Sequence, residues 1–287
     1  MSGSETSEIV GVNNRVANFF SGIVAWVVGL IFFFPIVWMV LTSFKTENDA
    51  QQETPVFFFD ASFDRYREVL SGTAGTLTAA KAFGNSFFVV GLSTVIVLLL
   101  GIPAAYSLAV RPIDKWRDVL FFFISTKFLP IAAAVLPLFF FAREFDLIDT
   151  RTVLVIVYTA LNLPLAVWMM RSFFDEVPKE LIEAAQIDGA SLISQLRSVI
   201  LPIVSPGIAA TALLSFIFAW NEYFLAMNLT RFDAATVPIW VTANVSSRGQ
   251  FFATLSAAAT LASLPVIAAG WIAQKRLVRG LALGAIK

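Results

Sequence analysis

The stretch AFGNSFFVVGLSTVIVLLLGIPAAYSLAV, residues 82–110, runs from Lys81 to Arg111 without one charged side chain. A helix crosses the ~30 Å hydrocarbon core of a bilayer in roughly 20 residues, so this segment reads as a transmembrane helix. Five more windows of similar character flank it. One lies between Arg15 and Lys45, one between Arg151 and Arg171, and one between Arg248 and Lys275. Val119 to Ala142 contains only Lys127, and Gly207 to Asn228 only Glu222. The expected fold class is therefore all-α: a polytopic membrane protein with six transmembrane helices, solvated by membrane lipid.

Composition agrees. Of 287 residues, 58% are apolar and 14% charged, against about 25% charged in an ordinary soluble domain. Cysteine and histidine are both absent, which removes thiolate metal sites, disulfides and the commonest general base. With no metal site and no catalytic set, the chain reads as no enzyme. Its zero net charge offers nothing to recruit nucleic acid. The opening residues carry Glu5 and Glu8 and do not read as a basic leader. Residues 1–14 are expected to be a polar cytoplasmic tail and 15–287 the membrane domain.

Loop charges orient the spans. Arg111, Lys115 and Arg117 follow the second span, and Lys275, Arg276, Arg279 and Lys287 follow the sixth. The loops on the other side mix Lys and Arg with many acids. Both termini are thereby placed in the cytoplasm.

That orientation makes residues 171–206 the longest cytoplasmic connection, and it carries helix signals of its own. Pro178 suits a first turn, with Asp175, Glu176, Glu180 and Glu183 near the positive end. Leu181, Ala184, Ala185 and Ile187 give an apolar stripe. Gly189 reads as a stop in left-handed conformation. A second short helix from Ser191 to about Ile200 carries Leu192, Leu196 and Val199 on one face, before Pro202 and Pro206. Two such helices form a knob whose apolar faces need a cover. Periodicity alone leaves open whether that cover is a partner protein or the lipid headgroups.

The residues of this loop narrow the choice. Glu183-Ala184-Ala185, then Gly189, then Val199 and Leu201-Pro202 resemble the EAA loop of ABC importer permeases, with valine in place of the usual isoleucine at 199. Ser125-Thr126-Lys127-Phe128-Leu129-Pro130, Asn162-Leu163-Pro164, Ile187-Asp188-Gly189-Ala190-Ser191 and Trp220-Asn221-Glu222-Tyr223 are similar to the carbohydrate-uptake branch, in the order of the smaller permease of maltose-type transporters. Arg279-Gly280-Leu281 resembles that subunit's tail. The resemblance covers about residues 15–287.

It implies a coupling loop at about 175–203. Glu183, Ala184, Ala185, Asp188, Gly189, Leu201 and Pro202 would there meet a cytoplasmic ATPase dimer. It also implies a second permease subunit, an extracytoplasmic sugar-binding protein and residence in a bacterial inner membrane. No G-x-x-x-x-G-K-[ST] phosphate loop occurs, so ATP and Mg would be held by the ATPase and no cofactor by this chain.

Ionisable residues inside spans are costly and often functional. Lys127 reads either as a structural charge or as lining for a solute route. Glu222 reads either as part of an aromatic interface belt with Trp220 and Tyr223, or as cavity lining with Trp220, Asn221 and Tyr223. Asn162 and Pro164 are expected at a kink. By the resemblance, Lys127, Asn162, Trp220, Asn221, Glu222 and Tyr223 form the candidate pathway. The external segment 229–251, polar at Asn244, Ser246, Ser247, Arg248, Gly249 and Gln250, reads as a plain connector or, by the resemblance, as a loop reaching the binding protein. An anionic solute would call for more intramembrane Arg or for helix termini aimed at it, so the sequence favours a neutral sugar, with a faint resemblance to polyol permeases. Other classes kept in view are a self-contained secondary transporter or channel, which calls for inverted repeats and broken helices, and an ABC permease for a non-sugar solute.

Overall fold

The computed structural model describes residues 10–71, 77–110, 113–243 and 251–284, with side chains from 18 to 274 inside those ranges. Among them every regular element is helical. The chain begins with α1 (Val10–Thr42), α2 (Glu47–Ala50), α3 (Asp64–Ser71) and α4 (Ala79–Ala109). Next come α5 (Trp116–Ser125), a 3-10 turn (Thr126–Phe128), α6 (Ile131–Glu144) and α7 (Arg151–Asp175). The connection expected to be a helical knob holds α8 (Lys179–Ile187), then α9 (Leu192–Ser194), a π-helical turn (Gln195–Ile200) and α10 (Leu201–Ile203), which run on as one rod. The remainder is α11 (Ser205–Trp220), α12 (Phe224–Leu229), α13 (Val237–Ala243) and α14 (Phe252–Gly284). Helix α1 starts at Val10, inside the stretch expected to be a tail.

Among the described residues, four helices are long and apolar enough to cross a membrane: Asn18–Thr42 of α1, α4, α7 and Phe252–Gln274 of α14. Two bent pairs bring the total to six when each counts as one crossing. The expected continuous third span is instead broken. α5 with its 3-10 turn meets α6 at 91°. The cause is local. Leu129, ahead of a proline, is driven to an extended ψ of 125°, and Pro130 has no N–H to continue the helix. The expected fifth span also ends early. α11 stops at Trp220, Asn221–Tyr223 turn, and α12 restarts at Phe224. Its lower end bends 77° from the knob rod at Val204.

The core is the α4–α7 pair with α11 and α14 laid against it. Val89, Val90, Val97, Leu154, Tyr158, Val167 and Met170 are fully or almost fully buried there. Small residues permit the approach, as packing without a hydrophobic drive in lipid requires. A methyl group on Gly101 would sit 3.5 Å from the Ala166 Cβ, while one on Gly207 would fall 2.3 Å from the Phe173 ring. By contrast, no residue is buried in the apolar window of α1. Trp26 and Phe32 project from it at 75% and 78% exposure. The spans hold two polar ends apart: a knob end built from residues 175–204, and a platform end where α2, α3, the 145–150 turn and residues 230–243 gather.

Candidate functional site

The knob is built around one glycine. Gly189 has φ +74°, and its N–H bonds to Gln186 O while Ala190 N–H bonds to Ala185 O, both at 3.0 Å. That double closure is a Schellman stop, which favours glycine because a Cβ is penalised in left-handed conformation. Ser191 then caps the rod by accepting from Ser194 N–H at 3.3 Å. Buried Gln195 ties it back through Nε2 to Ala190 O at 2.7 Å. Pro178 stands one position before α8 rather than inside its first turn, and the rod reaches Ile203, beyond the expected end at Ile200.

The apolar stripe divides differently from the sequence expectation. Ile182 turns inward with Val177, Phe174 and Ile200, and Ala185 is buried as well. Leu181, Ala184 and Ile187 face out, as do Leu192 and Ile193 on the rod. Ile187 is 86% exposed and Ile193 78%. Glu183, Asp188 and Gly189 lie on this open face, whereas Leu201 is half-buried at its root and Pro202 exposed beside it.

The platform end consumes its polar groups. Asp149, at φ +58°, receives the successive backbone N–H groups of Arg231, Phe232, Asp233 and Ala234 at 2.9–3.1 Å. Such a run of amides is an anion-binding nest. Desolvation pushes the Asp149 carboxyl up, but the four donors outweigh it and hold it below its ordinary value. Asn85 donates to Asp233 O and Ala235 O and accepts from Arg151 Nε at 2.7 Å. Ser86 Oγ accepts from Val237 N–H, and Lys81 pairs with Asp233 at 2.6 Å. Glu47 accepts from Ala253 N–H, Thr254 N–H and Thr254 Oγ1, and so caps α14 from far away in sequence. None of these was singled out from the sequence. Asn85 alone left a trace, as an amide among apolar neighbours.

Between the ends, a cavity of about 370 Å³ opens at the break in the third span. Lys127 and Thr126 border it from the 3-10 turn, Tyr158 and Asn162 from α7, and Phe218 and Glu222 from the end of α11. Three candidate pathway residues are thus brought together. The Lys127 ammonium lies 5.9 Å from the Phe218 ring centre and belongs to none of the described ion pairs. Glu222 is committed locally: its two carboxylate oxygens accept from Leu225 and Ala226 N–H at 2.9 and 3.1 Å, capping α12. Its backbone carbonyl accepts from Tyr158 Oη. Asn162 is buried and donates to Tyr158 O on its own helix, and α7 continues through Pro164.

The other three candidates lie elsewhere. Trp220 is 3% exposed, stacked on Phe216, and donates from its indole to Ala262 O at 3.0 Å. It locks α11 to α14. Trp220, Asn221 and Tyr223 together border a second, largely apolar cavity of about 480 Å³ between α1, α13 and α14. Trp220-Asn221-Glu222-Tyr223 therefore does not line one site, because the helix ends within it. Of the segment 229–251, residues 237–243 form α13, while 244–250 and the side chains around Arg279 lie outside the described residues.

Residues 97–283, which hold the knob, the cavity and most of the core, match the family model of the binding-protein-dependent transport system inner membrane component. The chain belongs to this family. The chain is similar to the trehalose transport system permease protein SugB of Mycobacterium tuberculosis (strain CDC 1551 / Oshkosh). It is 34% identical over 88% of this chain and 92% of its own length. The trehalose/maltose transport system permease protein MalG of Thermococcus litoralis is 32% identical over 92% and 94%. In fold, the chain is similar to a solved bacterial ABC transporter for import of the acidic polysaccharide alginate, with TM-score 0.73 and 23% identity over 93% of this chain and 98% of that one. As a member of the family, this chain is an inner-membrane transport component.

Proposed function

We propose that this chain is one permease subunit of a sugar ABC importer, driven by ATP hydrolysis on a separate ATPase dimer and loaded by an extracytoplasmic binding protein. The single observation that carries the reading is the open knob. Ile187, Leu192 and Ile193 stand exposed beside Glu183, Asp188 and Gly189. An open apolar face needs a cover, and this is where the resemblance puts the ATPase. The knob end and both termini would then be cytoplasmic and the platform end extracytoplasmic. A second permease completes the route, and ATP with Mg stays on the ATPase. Sugar transport by the relatives SugB and MalG supports a carbohydrate solute. Lys127, Asn162 and Glu222 are the candidate pathway set, while Trp220, Asn221 and Tyr223 border a different cavity, Trp220 also locking α11 to α14.

The broken third span is the observation that favours a second reading, a self-contained secondary transporter. Reconstitution separates the two. In proteoliposomes the purified chain alone is expected neither to hydrolyse ATP nor to concentrate sugar, and both activities return when the second permease, ATPase and binding protein are added. Accumulation by the chain alone under a proton or sodium gradient would overturn the importer reading.

A further inference from the structure

The connection from α2 to α3 carries an apolar run, Pro55-Val56-Phe57-Phe58-Phe59, between Glu53-Thr54 on one side and Asp60 on the other. It does not stand out into solvent. The Phe57 ring meets Trp38 of α1 edge-on, 5.5 Å between centres. The Lys45 ammonium, buried at the end of α1, lies 4.0 Å from the Trp38 ring centre and 5.3 Å from that of Phe59, so one cation joins helix and loop through two ring faces. At the far root of the loop, Ser62 N–H donates to Phe44 O at 3.0 Å, and Ser43 Oγ shares a 2.6 Å hydrogen bond with Tyr66 Oη. The loop is therefore folded back along the end of α1 and fastened there at both sides.

The contact with Trp38 fixes the depth of the loop. Trp38 belongs to the membrane-crossing window Asn18–Thr42, 25 residues long. At 1.5 Å per residue that window measures about 37 Å, so when centred on a ~30 Å hydrocarbon core it overshoots each edge by about 4 Å. Trp38 stands about 6 Å short of Thr42, hence about 2 Å inside the hydrocarbon edge. Phe57 shares that level, and its neighbour Phe58 is 98% exposed, clear of the rest of the chain. From this geometry we infer that the 55–59 loop is a wedge whose Phe58 ring inserts into the platform-side leaflet, at the boundary between lipid headgroups and acyl chains. Aromatic rings gather at that level. Residues 51–63 contain no Lys or Arg, so the wedge is held by apolar burial and not by attraction to anionic lipid. Its role follows from α1, whose apolar window has no buried residue, against 22–56% in the other three long spans. The bundle grips this helix least, and the wedge fixes the height of its platform-side end.

The chain has no cysteine, so one introduced thiol carries one nitroxide. Phe58→Cys and, as the aqueous reference, Glu53→Cys are labelled in the assembled transporter in proteoliposomes. Both side chains are exposed, so neither change disturbs packing. Collision of each label with molecular oxygen, which concentrates in lipid, is compared with collision with a water-soluble nickel chelate. The ratio of oxygen to nickel collisions is expected to be several-fold higher at 58 than at 53, and to stay the same in zwitterionic and anionic vesicles and from low to high salt. Equal ratios at the two positions would place Phe58 in water and overturn the inference. Low collision with both agents would mean a protein cover, the second permease if it is seen in the resting complex and the binding protein if it appears only on its addition, and either overturns it too. A ratio at 58 that rises only with anionic lipid at low salt would replace apolar burial by electrostatic attraction and likewise count against the wedge.

Discussion

The platform end and the knob end solve opposite problems with the same kinds of residue. At the platform, Asp149, Glu47 and Asn85 each hold several groups from distant parts of the chain, and little polar capacity is left over. At the knob, hydrogen bonds close local turns, as at Gly189 and Gln195, and Leu181, Ile187, Leu192 and Ile193 face outward. A surface finished from within keeps its shape alone. A surface left open has its shape completed by what docks on it. The difference gives a rule for telling them apart by mutation: platform substitutions should act on folding, knob substitutions on assembly.

The largest effect on folding is expected from Asp149→Ala. Four amides lose one charged acceptor, which costs roughly 2–3 kcal/mol once solvent exposure of the turn is allowed for. Thermal unfolding of the purified chain in detergent measures it. A pH series sharpens the test. The folded Asp149 carboxyl titrates below its ordinary value of 3.8. Its contribution is therefore complete above that value and is lost as pH falls through the lower, folded one. Asp149→Asn should flatten this acid limb. An acid limb unchanged by Asp149→Asn would show that the nest does not anchor residues 231–234.

Next comes Gly207→Ala, where α11 leaves the knob. The new methyl would lie 2.3–2.7 Å from three atoms of the Phe173 ring, and overpacking of this kind costs about 2 kcal/mol. The melting temperature should fall, and a second change, Phe173→Leu, should restore part of it. Additive losses from the two changes would mean that the ring already has room to move.

Gly189→Val is smaller in stability and larger in consequence. Nothing lies within 4 Å of an added Cβ, so the cost is the left-handed backbone alone, ~1–2 kcal/mol. Membrane content of the chain should be near normal, while binding-protein-stimulated ATPase activity and uptake in the assembled transporter should fall sharply. Full stimulation at normal expression would sever the knob from coupling. The smallest stability effect belongs to Ile193→Glu, an exposed site where changes stay within about 0.5 kcal/mol. Co-purification of the ATPase should nonetheless drop several-fold. A knob variant that unfolds the chain but leaves assembly of the folded fraction intact would erase the distinction between the two ends.

How legible the molecule was follows the same division. The apolar runs announced six crossings because lipid demands long uncharged helices. Gly189 announced its own conformation because few other residues tolerate that backbone. Both are local signals. The break at Thr126–Pro130 was half-visible: Pro130 stood in the sequence, yet a run interrupted only by Lys127 reads as continuous. Glu222 looked like a free charge in a span because the end of α11 at Trp220 has no compositional mark. Nothing near Asp149 foretold its amides, which come from residues more than eighty positions later. Asn85 and Glu47 are of the same kind. Their roles exist only once distant segments have met.

The elbow at Val204 gives the knob a mechanical meaning. The rod Leu192–Ile203 and α11 meet there at 77°, with Val204 alone between them. At ~1.5 Å per residue, the arms measure about 18 Å and, for the 16 residues of α11, about 24 Å. Were the corner rigid, the two arms would act as a bell crank, and a push of 1 Å on the tip of the rod would displace the far end of α11 by roughly 1.3 Å. That far end carries Phe218 and Ala219 in the cavity wall, so an ångström-scale stroke at the knob would become a slightly larger sideways stroke where the solute would pass.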